Sequence, residues 1–303
     1  MNRWISPDLF AAFAAEQTTA HRLFSSPHAW VERLGDDVLI SFKHDDARDE
    51  ALEGLRAWSA SVGYTPARIF ARFLPRQNAE RVSPVLLEGN PEAPLTTVVV
   101  ERGVQYGLDF ATGYSTGLFL DQRHNRSFVR MAAPRRLLNT FAYTCSFSVV
   151  AALAGAETLS VDLSKKYLER GRQNLALNGI DLEAGRHRFI ADDVLEVLPR
   201  LERRGEKFDM IILDPPTFSQ YRGRRWQVER GLEDLLLQAL ELAAPGAFIL
   251  LSTNCTRITR RQLELIARFG IKVSRRGGEL HYEPPLPDFP EGEGAQTLWL
   301  RIK

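Results

Sequence analysis

Phe208-Asp209-Met210-Ile211-Ile212-Leu213-Asp214-Pro215-Pro216-Thr217-Phe218 is the stretch that decides the architecture of this chain. Its short apolar run reads as a buried strand, and the run stops at an acid followed by two prolines. Proline has no amide donor and a fixed φ, so neither Pro215 nor Pro216 extends a sheet ladder. Asp214 is therefore expected at the carboxyl end of a strand, on a stiff loop, where open α/β sheets take their ligands.

Around this strand, from about residue 135, strand-like and helix-like patterns alternate, which predicts a parallel α/β sheet. Strands are expected at 137–143, 158–161, 188–190, 208–213, 247–252 and 271–274, with a final one at 297–302. Helices are expected at 149–154, 194–201, 228–242 and 261–269, and another runs from an N-cap at Ser164 through Leu177 to Asn178-Gly179. The first 130 residues read as a smaller α+β domain, with helical spacing over 7–30, a second helix over 46–62 and a hairpin of 96–101 with 104–110. Two domains are thus expected: 1–130, a candidate for holding substrate, and 131–303.

Three acidic strand ends fall in register. Asp162 lies about twenty residues after the first strand's end, the spacing of a carboxylate that accepts both hydroxyls of a ribose. Asp192 and Asp193 follow the third strand, where a carboxylate can take an adenine amino group, and Asp214 ends the fourth. A single acid after a strand is usually a turn former or a helix cap. Three of them in a βαβ series point to a nucleoside-bearing cofactor. The first loop, Phe141-Ala142-Tyr143-Thr144-Cys145-Ser146-Phe147, has no glycine, whereas a dinucleotide needs Gly-x-Gly-x-x-Gly for its pyrophosphate to approach the backbone. NAD and FAD are therefore not expected.

Gly117-Leu118-Phe119-Leu120-Asp121-Gln122-Arg123, Leu138-Asn139-Thr140-Phe141-Ala142-Tyr143-Thr144, Val161-Asp162-Leu163-Ser164, Asn174-Leu175-Ala176-Leu177-Asn178-Gly179 and Asp214-Pro215-Pro216-Thr217-Phe218 together resemble one family. It is the group of bacterial large-subunit ribosomal-RNA methyltransferases that use S-adenosyl-L-methionine to modify guanine at N7 or cytosine at C5. The resemblance covers about residues 95–303. It implies a Rossmann-like, seven-stranded class I methyltransferase sheet behind the smaller α+β domain. It also implies that S-adenosylmethionine, which carries no phosphate, lies near Asp121, Gln122 and Arg123. Phe141, Tyr143 and Thr144 would border its methionine end, Asp162 with Leu163 and Ser164 its ribose, and Asp193 beside Asp192 its adenine. Asp214, Pro215, Pro216 and Phe218 would form the catalytic, acceptor-side wall, with Asp214 also bordering the cofactor. The family usually continues Tyr-Thr-Gly where this chain has Tyr143-Thr144-Cys145, and cysteine lacks glycine's φ freedom, so an altered loop is expected. No amino-terminal RNA-binding module of the PUA type is recognisable.

The remaining features set the acceptor and the setting. Among 303 residues, 44% are hydrophobic and 25% charged, as in a soluble globular protein. No apolar stretch approaches the roughly 18 residues of a membrane span, and the start lacks the apolar core of a secretory signal. Cys145 and Cys255 are too few for a disulfide framework, so the cytoplasm is the expected location; no metal is expected. The net charge is +1, but residues 1–130 carry 14 Lys/Arg against 16 Asp/Glu and the remainder 25 against 22. Arg222, Arg224 and Arg225 follow the Asp-Pro-Pro loop, and Arg257, Arg260, Arg261, Arg268, Lys272, Arg275 and Arg276 are opposed only by Glu264. These groups read either as solvated helix faces or as a phosphate-contacting rim. RNA is the expected partner; a protein or small-molecule acceptor, or a cofactor-binding protein without catalysis, are the alternatives. Guanine N7 has a lone pair ready to react, whereas cytosine C5 needs a thiolate at C6. Cys255 lies near the position of that thiol in the cytosine-modifying relatives, but the register puts Asn254 there, which favours guanine. Phe218 reads either as a ring for stacking a base or as a core aromatic beneath the loop.

Overall fold

A computed structural model describes residues 3–74, 82–111, 113–221, 224–290 and 293–303. Arg222 of the expected basic rim lies outside the described residues. The chain forms two compact units, Met1–Leu120 with Pro285–Glu291, and Asp121–Pro284 with Gly292–Lys303. Among the described residues no helix is long and apolar enough to cross a membrane.

The first unit comprises β1 (Arg3–Trp4), α1 (Pro7–Ala15), β2 (Ala20–Ser25), β3 (Ala29–Leu34), β4 (Asp37–Phe42), α2 (Asp45–Val62), β5 (Arg68–Phe73), β6 (Val85–Glu88), β7 (Thr96–Glu101) and β8 (Val104–Asp109). β1 to β6 form one sheet in sequence order, antiparallel except for the parallel pair β4–β5 that α2 bridges; β7 and β8 form the expected hairpin. The helical spacing over 7–30 holds only to Ala15. Ser6 caps α1, Gln17 takes a left-handed turn at φ 51°, and the chain then enters β2 and β3. β2 reads Ala-His-Arg-Leu-Phe-Ser and is buried throughout. Its polar residues are inside, so the alternation that marks a strand in sequence is missing. Arg22 tolerates this position because its amide donates to Asp288 at 2.9 Å and its guanidinium lies 4.0 Å from the Phe289 ring centroid.

The second unit begins with a short 3₁₀ turn and α3 (Arg123–Ala132). It continues β9 (Arg136–Thr140), α4 (Ser146–Leu153), β10 (Glu157–Asp162), α5 (Lys165–Leu177), β11 (His187–Ala191), α6 (Val194–Arg203) and β12 (Phe208–Leu213). Then come the hairpin β13 (Phe218–Tyr221) and β14 (Arg224–Gln227), α7 (Val228–Leu242), β15 (Ala243–Thr253), α8 (Arg260–Val273), β16 (Gly278–His281) and β17 (Gln296–Ile302). Seven strands make one sheet in the order β11-β10-β9-β12-β15-β17-β16. The first five are parallel and β17 runs antiparallel to both neighbours. This is the expected Rossmann-like sheet. Its inner strands are apolar on both faces, with Ile211, Leu213, Ile249 and Leu251 in the cluster that α6, α7 and α8 cover.

Two local expectations differ from the observed elements. Residues 271–274 are the last turn of α8, not a strand, because Leu263, Ala267 and Gly270 repeat at helical spacing and are buried. The strand in question is β16, a few residues later. The stretch after Asp214-Pro215-Pro216-Thr217 is an antiparallel hairpin, with Phe218 opposite Gln227 and Ser219 opposite Trp226.

Candidate functional site

The strand order reverses between β9 and β12: β10 and β11 lie beyond one, β15 beyond the other. A crevice opens at the carboxyl ends of the strands at such a reversal, and it is the ligand position of open α/β sheets. The loop after β9 carries Phe141, Tyr143 and Thr144, and the loop after β12 carries Asp214, Pro215 and Pro216. Six of the residues singled out in sequence therefore lie on adjacent loops because two neighbouring parallel strands end together.

The β9 loop is strained. Phe141, Tyr143 and Cys145 all have left-handed backbones, at φ 52°, 50° and 60°. Each costs an L-residue roughly 1–2 kcal/mol. Hydrogen bonds impose the shape: Ala142 N donates to Val161 O at 3.0 Å, Cys145 N to Ala142 O at 2.7 Å, and Asn174 Nδ2 to Thr144 O at 3.0 Å. The Cys145 side chain has room because α5 presents Gly171 to it. A Cβ at Gly171 would meet Cys145 Sγ at 2.4 Å. The loop thus adopts its bend without glycine, and the space that cysteine needs is supplied from the facing helix. Cys145 is fully buried, and burial pushes its thiol up to about 12.

Asp162, at the end of β10, receives Tyr143 N–H on Oδ2 at 2.9 Å and Ser164 N–H on Oδ1 at 2.8 Å. Burial raises its pKa, the two amides pulling the other way. No cation pairs with it among the described residues, so each carboxylate oxygen retains acceptor capacity in a half-buried place. Two further donors, such as those of a diol, fit these free acceptor positions. Ser164 caps α5 by accepting from Tyr167 N at 3.2 Å, and Leu163 between them is exposed. The Tyr143 and Tyr167 rings meet edge to face at 4.5 Å. After β11, Asp192 is committed to Asp193 N and to Arg200, whereas Asp193 caps α6 through Oδ1, at 3.0 Å from Leu195 N. Asp193 Oδ2 has no partner among the described residues and can accept an amino group. These donors and acceptors fit a cofactor built on adenosine.

Asp214 is the electrostatic centre. Burial pushes its carboxyl up to about 6, with the nearby Asp121 charge adding to the effect and the Ser252 hydroxyl and Arg126 opposing it. A chain of buried hydrogen bonds fixes the direction of the Ser252 contact. Trp299 Nε1 can only donate, and it does so to Asn125 Oδ1 at 2.8 Å. Asn125 Nδ2 therefore faces away and donates to Gln122 Oε1 at 2.8 Å, and Gln122 Nε2 donates to Ser252 Oγ at 2.9 Å. The Ser252 proton is left for Asp214. Asp121 is held by Ala295 N, 2.9 Å from Oδ2. Arg123 is fully buried in α3. Asn125, Ser252 and Trp299 are not apparent in sequence; the spacing of Gln122 and Asn125, one helical turn apart, is the only trace.

In the loop after β12, Pro215 is buried and Phe218, the next strand's first residue, is 50% exposed, which excludes a core role for that ring. Cys255 lies inside the apolar cluster with Leu251, Ile258 and Leu263, whereas Asn254 is exposed. Three of the seven members of the second basic group are committed within the fold: Arg257 pairs with Glu229 at 2.9 Å, Arg260 covers the Tyr282 ring, and Arg276 donates to Leu240 O and Ala243 O.

A family profile described as S-adenosylmethionine-dependent methyltransferase matches residues 38–301, and the chain belongs to that family. It is 36% identical over 206 residues to the ribosomal RNA large subunit methyltransferase I of Aeromonas salmonicida, across 66% of this chain and 51% of that protein. It is 42% identical over 165 residues to the ribosomal RNA large subunit methyltransferase K/L of a Psychrobacter species, across 53% and 20%. The chain thus spans about half the length of the first relative and a fifth of the second. A solved candidate methyltransferase complexed with SAH superposes with a TM-score of 0.82 at 27% identity, covering 97% of this chain and 78% of that one.

Two outcomes follow from the loop and the buried acid. Gly171→Ala should destabilise by about 1–3 kcal/mol through overpacking against Cys145, and adding Cys145→Gly should recover most of that loss; urea unfolding of the two variants checks the coupling. Asp214→Asn should raise the thermal midpoint at neutral pH. The carboxyl's displacement from 3.8 to about 6 means that its ionised form costs on the order of 3 kcal/mol above pH 6, a cost absent below the unfolded-state pKa.

Proposed function

We propose that this chain transfers the methyl group of S-adenosylmethionine to a base of large-subunit ribosomal RNA, with guanine N7 as the acceptor atom. The observation that carries this reading is Asp214, an acid tuned to about 6 at the switch-point crevice, with the half-exposed ring of Phe218 a few residues on. The names of the relatives support RNA as the acceptor class. Bound here, S-adenosylmethionine supplies an electrophilic methyl group on a sulfonium. The protein's part in such an in-line displacement is position and field.

Asp162 and Asp193 orient the ribose and adenine through the acceptor capacity described above, with Leu163, Ser164 and Asp192 shaping that edge. Phe141, Tyr143 and Thr144 border the methionine end, opposite Asp121, Gln122 and Arg123. Pro215 and Pro216 hold the acceptor loop stiff, Phe218 stacks on the base, and ionised Asp214 accepts a hydrogen bond from its exocyclic amine. The N7 lone pair needs no deprotonation. The cytosine route needs a reactive thiolate, but Cys255 is buried among apolar side chains and the thiol of Cys145 is pushed up to about 12.

Because ionised Asp214 is the stronger acceptor for the exocyclic amine, methyl transfer should rise as pH passes upward through about 6 and level off above it. Ser252→Ala removes a hydrogen bond that favours the carboxylate, so the midpoint should move to higher pH while the plateau rate is largely kept; rate–pH profiles with labelled cofactor measure both. The acceptor is tested with ribosomal RNA from cells lacking the gene, which should take label from wild type and from Cys255→Ala. A covalent RNA adduct trapped on Cys255 would overturn the N7 assignment, and label confined to an RNase-resistant protein or small-molecule fraction would overturn RNA.

A further inference from the structure

We infer that the cavity between the β13–β14 hairpin and α7 is a second nucleotide subsite, which binds another nucleotide of the RNA acceptor apart from the reacting base. This rests on the RNA reading above and adds a site to it. The cavity has a volume of about 500 Å³, enough for one nucleotide, and is lined by Leu195, Arg225, Trp226, Arg230, Asp234 and Gln238, among others.

Three features identify the occupant. The polar lining is uncommitted: among the described residues Arg225, Arg230 and Asp234 form no ion pair, and the buried Oε1 of Gln238 accepts no hydrogen bond. A buried acceptor left without a donor costs about 1–3 kcal/mol, so an N–H or amino group from a ligand restores what folding lost. By contrast, the smaller cavity at the amino ends of the strands is closed by ion pairs of Glu206 with Arg136 at 2.6 Å and with Arg188 at 2.9 Å. Next, Arg225 and Arg230 line the cavity together with the Trp226 indole, and basic side chains combined with an aromatic ring are the pattern by which proteins hold single-stranded nucleic acid. The indole approaches α7 closely because Gly231 has no side chain; a Cβ there would meet Trp226 Nε1 at 2.0 Å. Finally, the subsite adjoins both halves of the catalytic crevice. Trp226 stacks on Phe141 of the strained loop at 6.2 Å, and it sits opposite Ser219, next to Phe218, across the hairpin. Phe218 and Trp226 therefore project from opposite faces of one two-stranded ribbon, so a strand of RNA that places a base on the first can turn around the hairpin to the second.

The probe is a fluorescent twelve-nucleotide single-stranded RNA of random sequence, followed by anisotropy with the protein saturated by S-adenosylhomocysteine, which keeps the adenosine site occupied. Wild type should bind, Arg230→Gln should weaken binding about tenfold and lower its salt dependence, and Gln238→Leu should weaken one of the four homopolymeric RNAs more than the other three. Equal binding by wild type and both variants, or no binding by wild type, overturns the subsite. Calorimetry of S-adenosylhomocysteine with each variant separates this from misfolding, since cofactor affinity should stay within about twofold. Failure of wild type to methylate ribosomal RNA while both variants still lose RNA binding would reject the proposed reaction and leave the subsite standing.

Discussion

The second unit is organised around one desolvated carboxylate. Asp214 stands at the reversal of the strand order, and water that would stabilise its charge is displaced by the packing that makes the crevice. The fold answers with the nearby charge of Arg126 and an oriented hydrogen bond from Ser252, whose direction is inherited from Trp299 through two amides. An indole cannot accept, so each side-chain amide in that series has only one useful orientation. The chain links the antiparallel strand β17, the first turns of α3 and the end of β15 to an acid on β12. Loss of any member would leave buried polar groups unpaired, which is costlier than the net worth of the bonds themselves.

The β9 loop places a different demand on the fold. Three left-handed residues within five positions are tolerated only because neighbouring amides and carbonyls are tied to β10 and α5. Cysteine in place of the expected glycine alters which residue carries the accommodation, not the path of the chain: the missing side chain is at Gly171, one helix away. Strain of this kind is a store that a ligand can draw on, and the loop carrying it is bonded to Asp162 through Tyr143 N.

Elements with a local signature were legible. The strand Phe208–Leu213 and the helix Val228–Leu242 have the bounds read from sequence, since an apolar run ending at Asp-Pro-Pro and a helical stripe of leucines are each self-contained signals. The strand expected at 271–274 was not there because an alternating quartet at the end of a helix resembles a strand in isolation, and only the burial of Leu263, Ala267 and Gly270 shows which period applies. The strands β2 to β4 escaped for the opposite reason: His21, Arg22, Asp37 and Ser41 are buried, so polarity did not alternate with burial. The β13–β14 hairpin was hidden by its own arginines, which read as a loop rim.

The amino-acid sequence by itself determined the class of sheet, the acids at its strand ends and the family, because spacing along one strand or one turn is a local property of the backbone. Tertiary structure alone decided the state of those acids and of the two thiols. Whether Asp214 titrates near 6, whether Cys145 reacts and whether Trp226 meets Phe141 depend on what lies across the fold. Desolvation and hydrogen-bond direction are set by residues more than a hundred positions away, as between Asn125 and Trp299, and no local pattern records them.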